Sequence, residues 1–235
     1  MRAMGTPADE LRRELTESGV RPGDEVIVSS YGTPDAAEAV LLAGARPVFV
    51  DIDADTFCMA PAAVAAAVTA RTTAVVPVHT FGHPADMASI LEIGARYGLR
   101  VIGHGAMEEP AGETSRRRVN AAYLDGKLRG VITPRVASGV EHSYQQYVVR
   151  VPGNGRPDRD AFARALRSRG VVCHVPVQTP VHRTQRFRRD IWLAATERAT
   201  EECLALPVDA AMSRRELQRV VSACNALGGL LQSAA

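Results

Sequence analysis

The chain has 235 residues, of which 46% are hydrophobic, enough to bury the core of a folded protein. Its 28 basic and 26 acidic residues leave a formal net charge of +2, too small to indicate a nucleic-acid partner or binding to an anionic membrane. No apolar run is long enough to span a bilayer, and Met1–Glu10 lacks a signal-peptide core, so we expect a cytoplasmic protein.

The first half of the chain alternates strand and helix patterns. A helix is predicted to begin at Thr6, whose side chain can cap it, and to end at Gly19. Short runs rich in Val and Ile predict strands over Glu25–Val28, Pro47–Asp51, Ala74–His79 and Arg100–Ile102. Proline-led segments between them predict helices over Pro34–Ala43, Pro61–Val68 and Pro84–Tyr97. This alternation predicts a parallel sheet wrapped by helices.

The second half follows a different pattern. Helices are predicted over Arg118–Leu128, Asp160–Arg169 and Trp192–Leu204, and a final one at the capping box Ser213–Glu216. Strands are predicted over Tyr144–Val151 and Val171–Val175. The composition changes in the polar loop Pro110–Ser115. We therefore predict a large α/β domain over residues 1–113 and a small α+β domain over residues 116–235.

The four cysteines lie far apart in the sequence, without the CxxC spacing of a zinc site. They are Cys58, Cys173, Cys203 and Cys224. This spacing favours neither a disulfide framework nor a metal centre, so we interpret the cysteines as buried, reduced thiols.

A series of motifs, in a fixed order along the chain, resembles one enzyme family. In the first half the motifs are Gly23–Val28, Ala43–Asp53, Val76–His79 and Gly82–Met87. In the second half they are Asn120–Leu124, His142–Val151, Arg169–Val171 and Leu204–Pro207. Together they resemble the sugar aminotransferases of the DegT/StrS type, and the ordered series is far more specific than any one motif.

The resemblance implies both a fold and an activity. Such relatives are fold-type-I pyridoxal phosphate enzymes that transfer an amino group to keto sugars or cyclitols, usually nucleotide-linked, in antibiotic and surface-polysaccharide pathways. The implied fold is a truncated fold-type-I large domain, with a parallel sheet of about four strands and helices, plus a small α+β C-terminal domain. The implied ligand is a sugar-like small molecule, and the relatives are dimers with active sites at the interface.

The cofactor lysine of the family has no counterpart here. Lys127 is the only lysine of the chain, and it lies in the helix of the small domain. The family's lysine belongs to a long segment that is absent between Gly112 and Arg116. The resemblance therefore implies no amine for the covalent bond to the cofactor, and we expect no bound cofactor.

Other cofactor positions of the family also differ. His104 stands where the family carries the aspartate that keeps the pyridine nitrogen protonated, a role a histidine cannot fill. Gly5 and Thr6 resemble a remnant of the phosphate-binding turn, with the residues before it missing. Thr33 stands where an aromatic ring often stacks on the cofactor. These losses indicate that the polypeptide does not transaminate by itself.

Polar residues follow the predicted strands, at the edge where parallel sheets place their sites. They are Ser29, Ser30, Asp51, Asp53, His79, His83, His104 and Glu108. His79 belongs to the family pattern, whereas His104 and Glu108 are four residues apart and could pair on one helical face as an oriented base. The same residues could hold a metal or could have drifted after the cofactor was lost; we assign no metal. His174 and His182 are too isolated in the sequence to predict a ligand group.

The missing segment also affects the sheet. Without the family's later strands, Arg100–Ile102 becomes an edge strand, and we expect either the rearranged small domain or another chain, a second copy or a full-length paralogue, to cover it.

Three hypotheses remain open at this point. The first is a non-catalytic or partner protein in a sugar or natural-product pathway. The second is a cofactor-independent acid/base enzyme that uses the region of His79, His104 and Glu108. The third is an aminotransferase component that requires a full-length partner to supply the lysine.

Overall fold

A computed structural model describes residues 6–105, 111–152 and 158–232. In this part of the chain the backbone forms two compact units. The first contains the chain up to Thr80, Pro84–Gly105 and Thr179–Glu197, and the second contains Phe81–His83 and most of the remainder. The predicted domain boundary near residues 113–116 stays a prediction. It would place Thr179–Glu197 in the second domain, whereas this segment lies in the first unit.

The first unit is built on a parallel four-stranded sheet in the order β2-β1-β3-β4. Its strands are β1 (Glu25–Ser29), β2 (Arg46–Val50), β3 (Thr72–Val76) and β4 (Arg100–Val101). Its helices are α1 (Pro7–Glu17), α2 (Asp35–Leu42), α3 (Pro61–Ala67) and α4 (Met87–Tyr97). The predicted parallel sheet wrapped by helices is therefore confirmed.

Two apolar clusters cover the two faces of this sheet. Val26 and Val76 pack on one face with residues of α1 and α2, and Ile27 and Val75 pack on the other with residues of α3 and α4. Because both faces are buried, the strands are nearly continuous apolar runs, as in other parallel sheets. Phe187 of the Thr179–Glu197 segment joins the first cluster, which explains why that segment lies in this unit.

The second unit combines helices with a two-stranded antiparallel sheet. Its helices are α5 (Ala111–Lys127), α6 (Asp158–Ser168) and α8 (Arg214–Gln232), and its strands are β5 (Tyr147–Arg150) and β6 (Cys203–Leu206). Helix α7 (Ala194–Glu202) leads directly into β6. The core contains the fully buried side chains of Leu124, Tyr147, Leu166 and Leu204.

Three predictions for the second half differ from the structure. The predicted loop Pro110–Ser115 is helical from Ala111, where α5 begins. The predicted helix Trp192–Leu204 ends at Glu202, because the apolar run that follows pairs with β5 and is buried along its length. Residues Val171–Val175 form no strand; only His174 makes a bridge, and the Cys173 carbonyl instead accepts hydrogen bonds from the Arg167 guanidinium.

Two further features bear on the exclusions made from the sequence. All four cysteines are buried with free thiols, as predicted. Within the described ranges, every helix is too short or too polar to cross a membrane.

Candidate functional site

His79 lies just beyond β3, at the carboxyl end of the sheet. Its Nδ1 accepts a hydrogen bond from the Ala85 backbone N–H at 3.0 Å. A ring nitrogen that accepts cannot carry the proton, so the neutral ring holds it on Nε2. Partial burial lowers the pKa of His79 and favours the same neutral form. Through this hydrogen bond His79 stabilises the turn before α4.

His104 extends the line of β4 next to the end of β3. Its backbone N–H donates to the Pro77 carbonyl at 2.8 Å, and its carbonyl accepts from the His79 N–H at 3.2 Å. These bonds pair His104 with Val78, so the two side chains share one face of the sheet, and His79 points to the other. The backbones of the two predicted histidines are therefore hydrogen-bonded to each other across adjacent strands, but their rings lie on opposite faces of the sheet. Glu108 lies outside the described residues.

Asp51 follows β2 and stabilises the start of α7. One carboxylate oxygen accepts from the Thr196 N–H and hydroxyl, both at 2.8 Å, and the other accepts from the Ala195 N–H at 2.9 Å. Backbone N–H groups in the first turn of a helix have no partner within the helix, and the helix dipole favours a negative charge there. Asp51 is therefore a remote cap for α7.

Ser30, His182 and Glu197 form a hydrogen-bonded chain that the sequence did not reveal. Ser30 Oγ lies 2.6 Å from His182 Nδ1, and His182 Nε2 lies 3.1 Å from Glu197 Oε1. Ser30 Oγ also accepts from the His182 backbone N–H at 3.1 Å, which leaves its own proton to donate to Nδ1. His182 is then a neutral ring that donates from Nε2 to Glu197. Burial lowers the pKa of His182, while the Glu197 carboxylate opposes that effect.

These three side chains are of the types found in a hydrolase triad, but a substrate has no access to them. Ser30 and His182 are both 0% exposed, so no substrate carbonyl can reach the serine oxygen. The backbone contact from the Val181 N–H to the Ser30 carbonyl, at 2.9 Å, completes the attachment. The group therefore holds the Val181–Arg183 turn against the end of β1.

Thr6 caps α1 in the manner predicted. Its N–H and hydroxyl both donate to Asp9 Oδ2, at 3.1 and 2.8 Å, and its Oγ1 accepts from the Asp9 N–H at 3.2 Å. The Asp9 carboxylate thus already supplies the negative charge that the helix terminus favours. Gly5, the other residue of the predicted phosphate turn, lies outside the described residues.

Lys127 is the last residue of α5, in the second unit, and its side chain is exposed. Its carbonyl accepts from the Asn225 side-chain amide at 2.9 Å, which ties the helix end to α8. An exposed ammonium at a helix C-terminus is the ordinary, solvated setting of a lysine.

The second unit contains a buried group of aromatic and histidine rings. His142 stacks on Tyr144 with ring centroids 4.1 Å apart and meets His83 edge-on at 5.3 Å. His142 Nδ1 accepts from the Tyr144 N–H at 2.9 Å, and the Tyr147 hydroxyl donates to Asp125 at 2.6 Å. Burial, with the nearby positive charges, lowers the pKa of His142 to about 3. The ring is therefore neutral at physiological pH.

The backbone of Gly82 lies in close contact with the loop that carries this group. Its carbonyl accepts from the Ser143 N–H at 2.8 Å, and its φ of +90° lies in the left-handed region. A Cβ at this position would lie 2.3 Å from Ser143 Oγ and 2.9 Å from the Gln145 nitrogen. Only glycine fits here without movement of the facing loop.

Metal binding receives no geometric support from the described residues. No group of three or more His, Cys, Asp or Glu side chains in residues 6–105, 111–152 or 158–232 is placed to hold an ion.

Comparison with known proteins identifies the architecture. The model of the DegT/DnrJ/EryC1/StrS aminotransferase family matches residues 3–108 and 101–225. Among solved structures, DesV of S. venezuelae superposes with a TM-score of 0.85 at 23% identity, over 95% of this chain and 83% of that one. The aminotransferase TlmJ from Streptoalloteichus hindustanus gives a TM-score of 0.84 at 24% identity, over 97% and 85%. At such identities the likeness shows the fold alone, and the predicted fold-type-I architecture is confirmed.

Two sequence relatives match very different shares of this chain. The pleiotropic regulatory protein of Geobacillus stearothermophilus is 28% identical over 309 residues, which cover 92% of this chain and 82% of the relative. The UDP-N-acetyl-3-dehydro-alpha-D-glucosamine 3-aminotransferase of Acidithiobacillus ferrooxidans is 49% identical over 100 residues, covering 43% of this chain and 27% of the enzyme. The first match is longer than the 235 residues of this chain, so within it the relative has residues without a counterpart here.

Proposed function

Because the chain belongs to the DegT/DnrJ/EryC1/StrS aminotransferase family, we propose that it is a degenerate sugar-aminotransferase homologue that does not transaminate alone. It acts instead as a non-catalytic partner protein in a sugar or natural-product pathway. This proposal depends mainly on one observation: polar residues at the strand ends form hydrogen bonds that stabilise the fold. Ser30, Asp51 and His79 each satisfy backbone or side-chain groups of neighbouring segments.

The described residues do not fit pyridoxal phosphate. The one lysine of the chain lies exposed at the end of α5 in the second unit, and the first unit contains no lysine. His104 is a histidine where the ring nitrogen requires a carboxylate, and the start of α1 is closed by Asp9, whose charge would repel a phosphate. Each of the three attachments that the coenzyme needs is thus lost or blocked.

The opposite faces taken by the His79 and His104 rings count against a shared acid/base role. A general base and its orienting partner must lie within hydrogen-bond reach of each other. If cofactor-independent catalysis did operate, His104→Ala would abolish turnover of a sugar-like substrate while leaving the fold intact. We expect that variant to change stability only slightly.

The alternative of an aminotransferase component with a full-length partner is favoured by one observation. The two matched ranges of the family model overlap at residues 101–108, which begin in β4, and this supports a missing family segment close to that edge of the sheet. Among the described strands, β4 pairs only with β3. A partner that adds strands to β4 would cover its backbone groups and supply a lysine.

An absorbance titration separates the two functions. Pyridoxal phosphate added to the purified chain alone is expected to leave the spectrum of the free aldehyde unchanged. The same titration with a lysine-bearing family member from the same genome shows whether the mixture binds more cofactor than that member does alone. Extra binding and amino transfer by the mixture would favour the two-chain enzyme; no difference would favour the non-catalytic role.

A further inference from the structure

One segment of the first unit carries several exposed basic side chains that the contacts described above do not explain. We call residues 183–192 the arginine loop. It carries four arginines and the single tryptophan of the chain: Arg183, Arg186, Arg188, Arg189 and Trp192. All five are exposed, and Trp192 is 71% exposed. An indole exposed to this extent leaves a large apolar ring in contact with water, here next to several positive charges.

The arginine loop is held rigidly by buried residues. His182, which precedes it, is fully buried against Ser30, and Phe187 is 2% exposed and meets Phe49 edge-on at 6.2 Å. The loop closes on itself through the Arg189 N–H, which donates to the His182 carbonyl at 2.9 Å. A loop fixed in this way presents its side chains without the ordering cost that a flexible segment would incur on binding.

The charges of the loop are only partly neutralised. Arg183 donates to Glu197 at 2.8 Å and lies 5.9 Å from the centre of the Trp192 ring, while Arg186 reaches Glu38 at 3.5 Å. For Arg188 and Arg189, no carboxylate of the described residues lies within ion-pair distance. The result is a small positive surface beside an exposed indole whose orientation Arg183 helps to set.

These features suit one class of partner better than the others. Small ligands bind in concave sites that bury most of their surface, and an indole this exposed is not sunk in a cleft. Nucleic acid requires a broad positive field, whereas the whole chain carries a net charge of only +2. Tryptophan and arginine, by contrast, are the residues that dominate binding energy at protein interfaces.

We propose that the arginine loop is a docking surface for a carboxylate-rich surface of a partner protein. Arg188 and Arg189 receive the carboxylates, and Trp192 supplies the apolar contact that the partner covers. This inference rests on the proposed role as a partner protein and identifies the surface through which that role is exercised.

Trp192 provides a direct probe, because its fluorescence is the only tryptophan signal of the chain. The full chain is titrated with an oligoglutamate peptide carrying one terminal phenylalanine, in the absence of pyridoxal phosphate. Binding is expected to shift the emission to shorter wavelength and to reduce quenching by acrylamide. Added salt is expected to weaken the binding, because the contacts to Arg188 and Arg189 are ionic and exposed.

Charge reversal tests which residues are responsible. The double variant Arg188→Glu, Arg189→Glu is expected to weaken peptide binding by about tenfold or more. The matched control is Arg12→Glu, Arg13→Glu, which makes the same charge change at two exposed neighbours on α1 of the same unit and should leave binding nearly unchanged. Trp192→Ala, followed by anisotropy of a labelled peptide, serves as an independent test if the charge reversal unfolds the chain.

The outcomes are distinct. Equal effects of the two double variants, or no binding of the peptide at all, would overturn the proposal. Tighter binding of UDP or of single-stranded DNA at the same Trp192 signal would assign the loop to another ligand class and would also overturn it. A blue shift that depends only on protein concentration would indicate a second copy instead. None of these results affects the cofactor titration, so the docking surface and the proposed function fail separately.

Discussion

Two buried histidines, one in each unit, show how the same side chain is used differently. His182 has a hydrogen-bond partner at both ring nitrogens, Ser30 on one side and the Glu197 carboxylate on the other. His142 has a backbone N–H at Nδ1 and packs against Tyr144 and His83, with the positive Arg118 nearby. Both rings are neutral, but a carboxylate moderates the effect of burial on His182, whereas positive neighbours add to it at His142.

The difference shows what holds each region together. At His182 the fold depends on a polar chain that links two distant segments, and loss of one member leaves buried groups unsatisfied. At His142 the fold depends on stacked rings and on the close approach of a neighbouring loop. Neither histidine is arranged as an exposed acid or base, which agrees with the proposed non-catalytic role. Four perturbations distinguish the two regions.

Gly82→Ala is expected to have the largest effect, because the new Cβ would collide with the loop that carries His142. The cost should be about 3 kcal/mol of unfolding free energy, combining left-handed backbone strain with the steric clash. Urea denaturation measures it. The control is Gly98→Ala, where φ is +69° but nothing lies within 4 Å, so strain alone should cost about 1 kcal/mol. Equal costs would show that the contact with the His142 loop is unimportant.

His182→Leu is expected to destabilise the first unit by about 2 kcal/mol, because the buried Ser30 hydroxyl and the Glu197 carboxylate both lose a partner. Thermal unfolding measures the change. Ser30→Ala removes the serine contact but keeps the bond to Glu197, so it should cost less. If Ser30→Ala were the more harmful of the two, the bond to Glu197 would contribute little.

Acid should destabilise the second unit through His142. Its folded pKa of about 3 lies below its ordinary value of 6.5, so the unfolded chain binds more protons and stability is lost as the pH falls through this window. The slope from this residue approaches about 1.4 kcal/mol per pH unit. Urea denaturation between pH 6.5 and about pH 5 measures the loss above the range where most carboxylates titrate; His79 and His182, whose pKa values are also lowered, contribute to it as well.

His142→Phe keeps a stacking ring but cannot titrate, so it is the matched variant for this experiment. Its stability should vary less with pH than that of the wild type over the same window. Identical slopes for the two proteins would contradict the deep burial of a neutral His142.

Asp51→Asn is expected to have the smallest effect, about 1 kcal/mol. The amide can still accept some of the hydrogen bonds at the start of α7 but lacks the charge that the helix dipole favours. Asp190→Asn, at an exposed position of the neighbouring segment, is the control and should be close to neutral. A cost near zero for both variants would remove the capping role of Asp51.

Local features of the fold were predictable from the sequence. The capping boxes at Thr6 and Ser213 depend on residues three positions apart, and both form as predicted. The buried strands of the first unit were evident from their apolar runs. By contrast, the strand Cys203–Leu206 continues directly from α7, and only its pairing with β5 decides its conformation.

Long-range contacts of the candidate site were not predictable. Ser30 and His182 are 152 positions apart, and no periodicity of the sequence relates them. The shared sheet edge correctly predicts that residues at its strand ends lie close in space, as with His79 and His104. It cannot predict that their rings take opposite faces, since that depends on the register of the Val78–His104 pair.

The central proposal is that this polypeptide has no site that binds the family's coenzyme covalently and stoichiometrically. The most direct measurement is to incubate the chain with pyridoxal phosphate, reduce it with borohydride, and determine the intact mass and the modified residue by mass spectrometry. We predict only slow, partial labelling of the exposed Lys127 and no amino transfer from glutamate to a keto sugar. Rapid stoichiometric labelling, together with amino transfer by the isolated chain, would contradict the account.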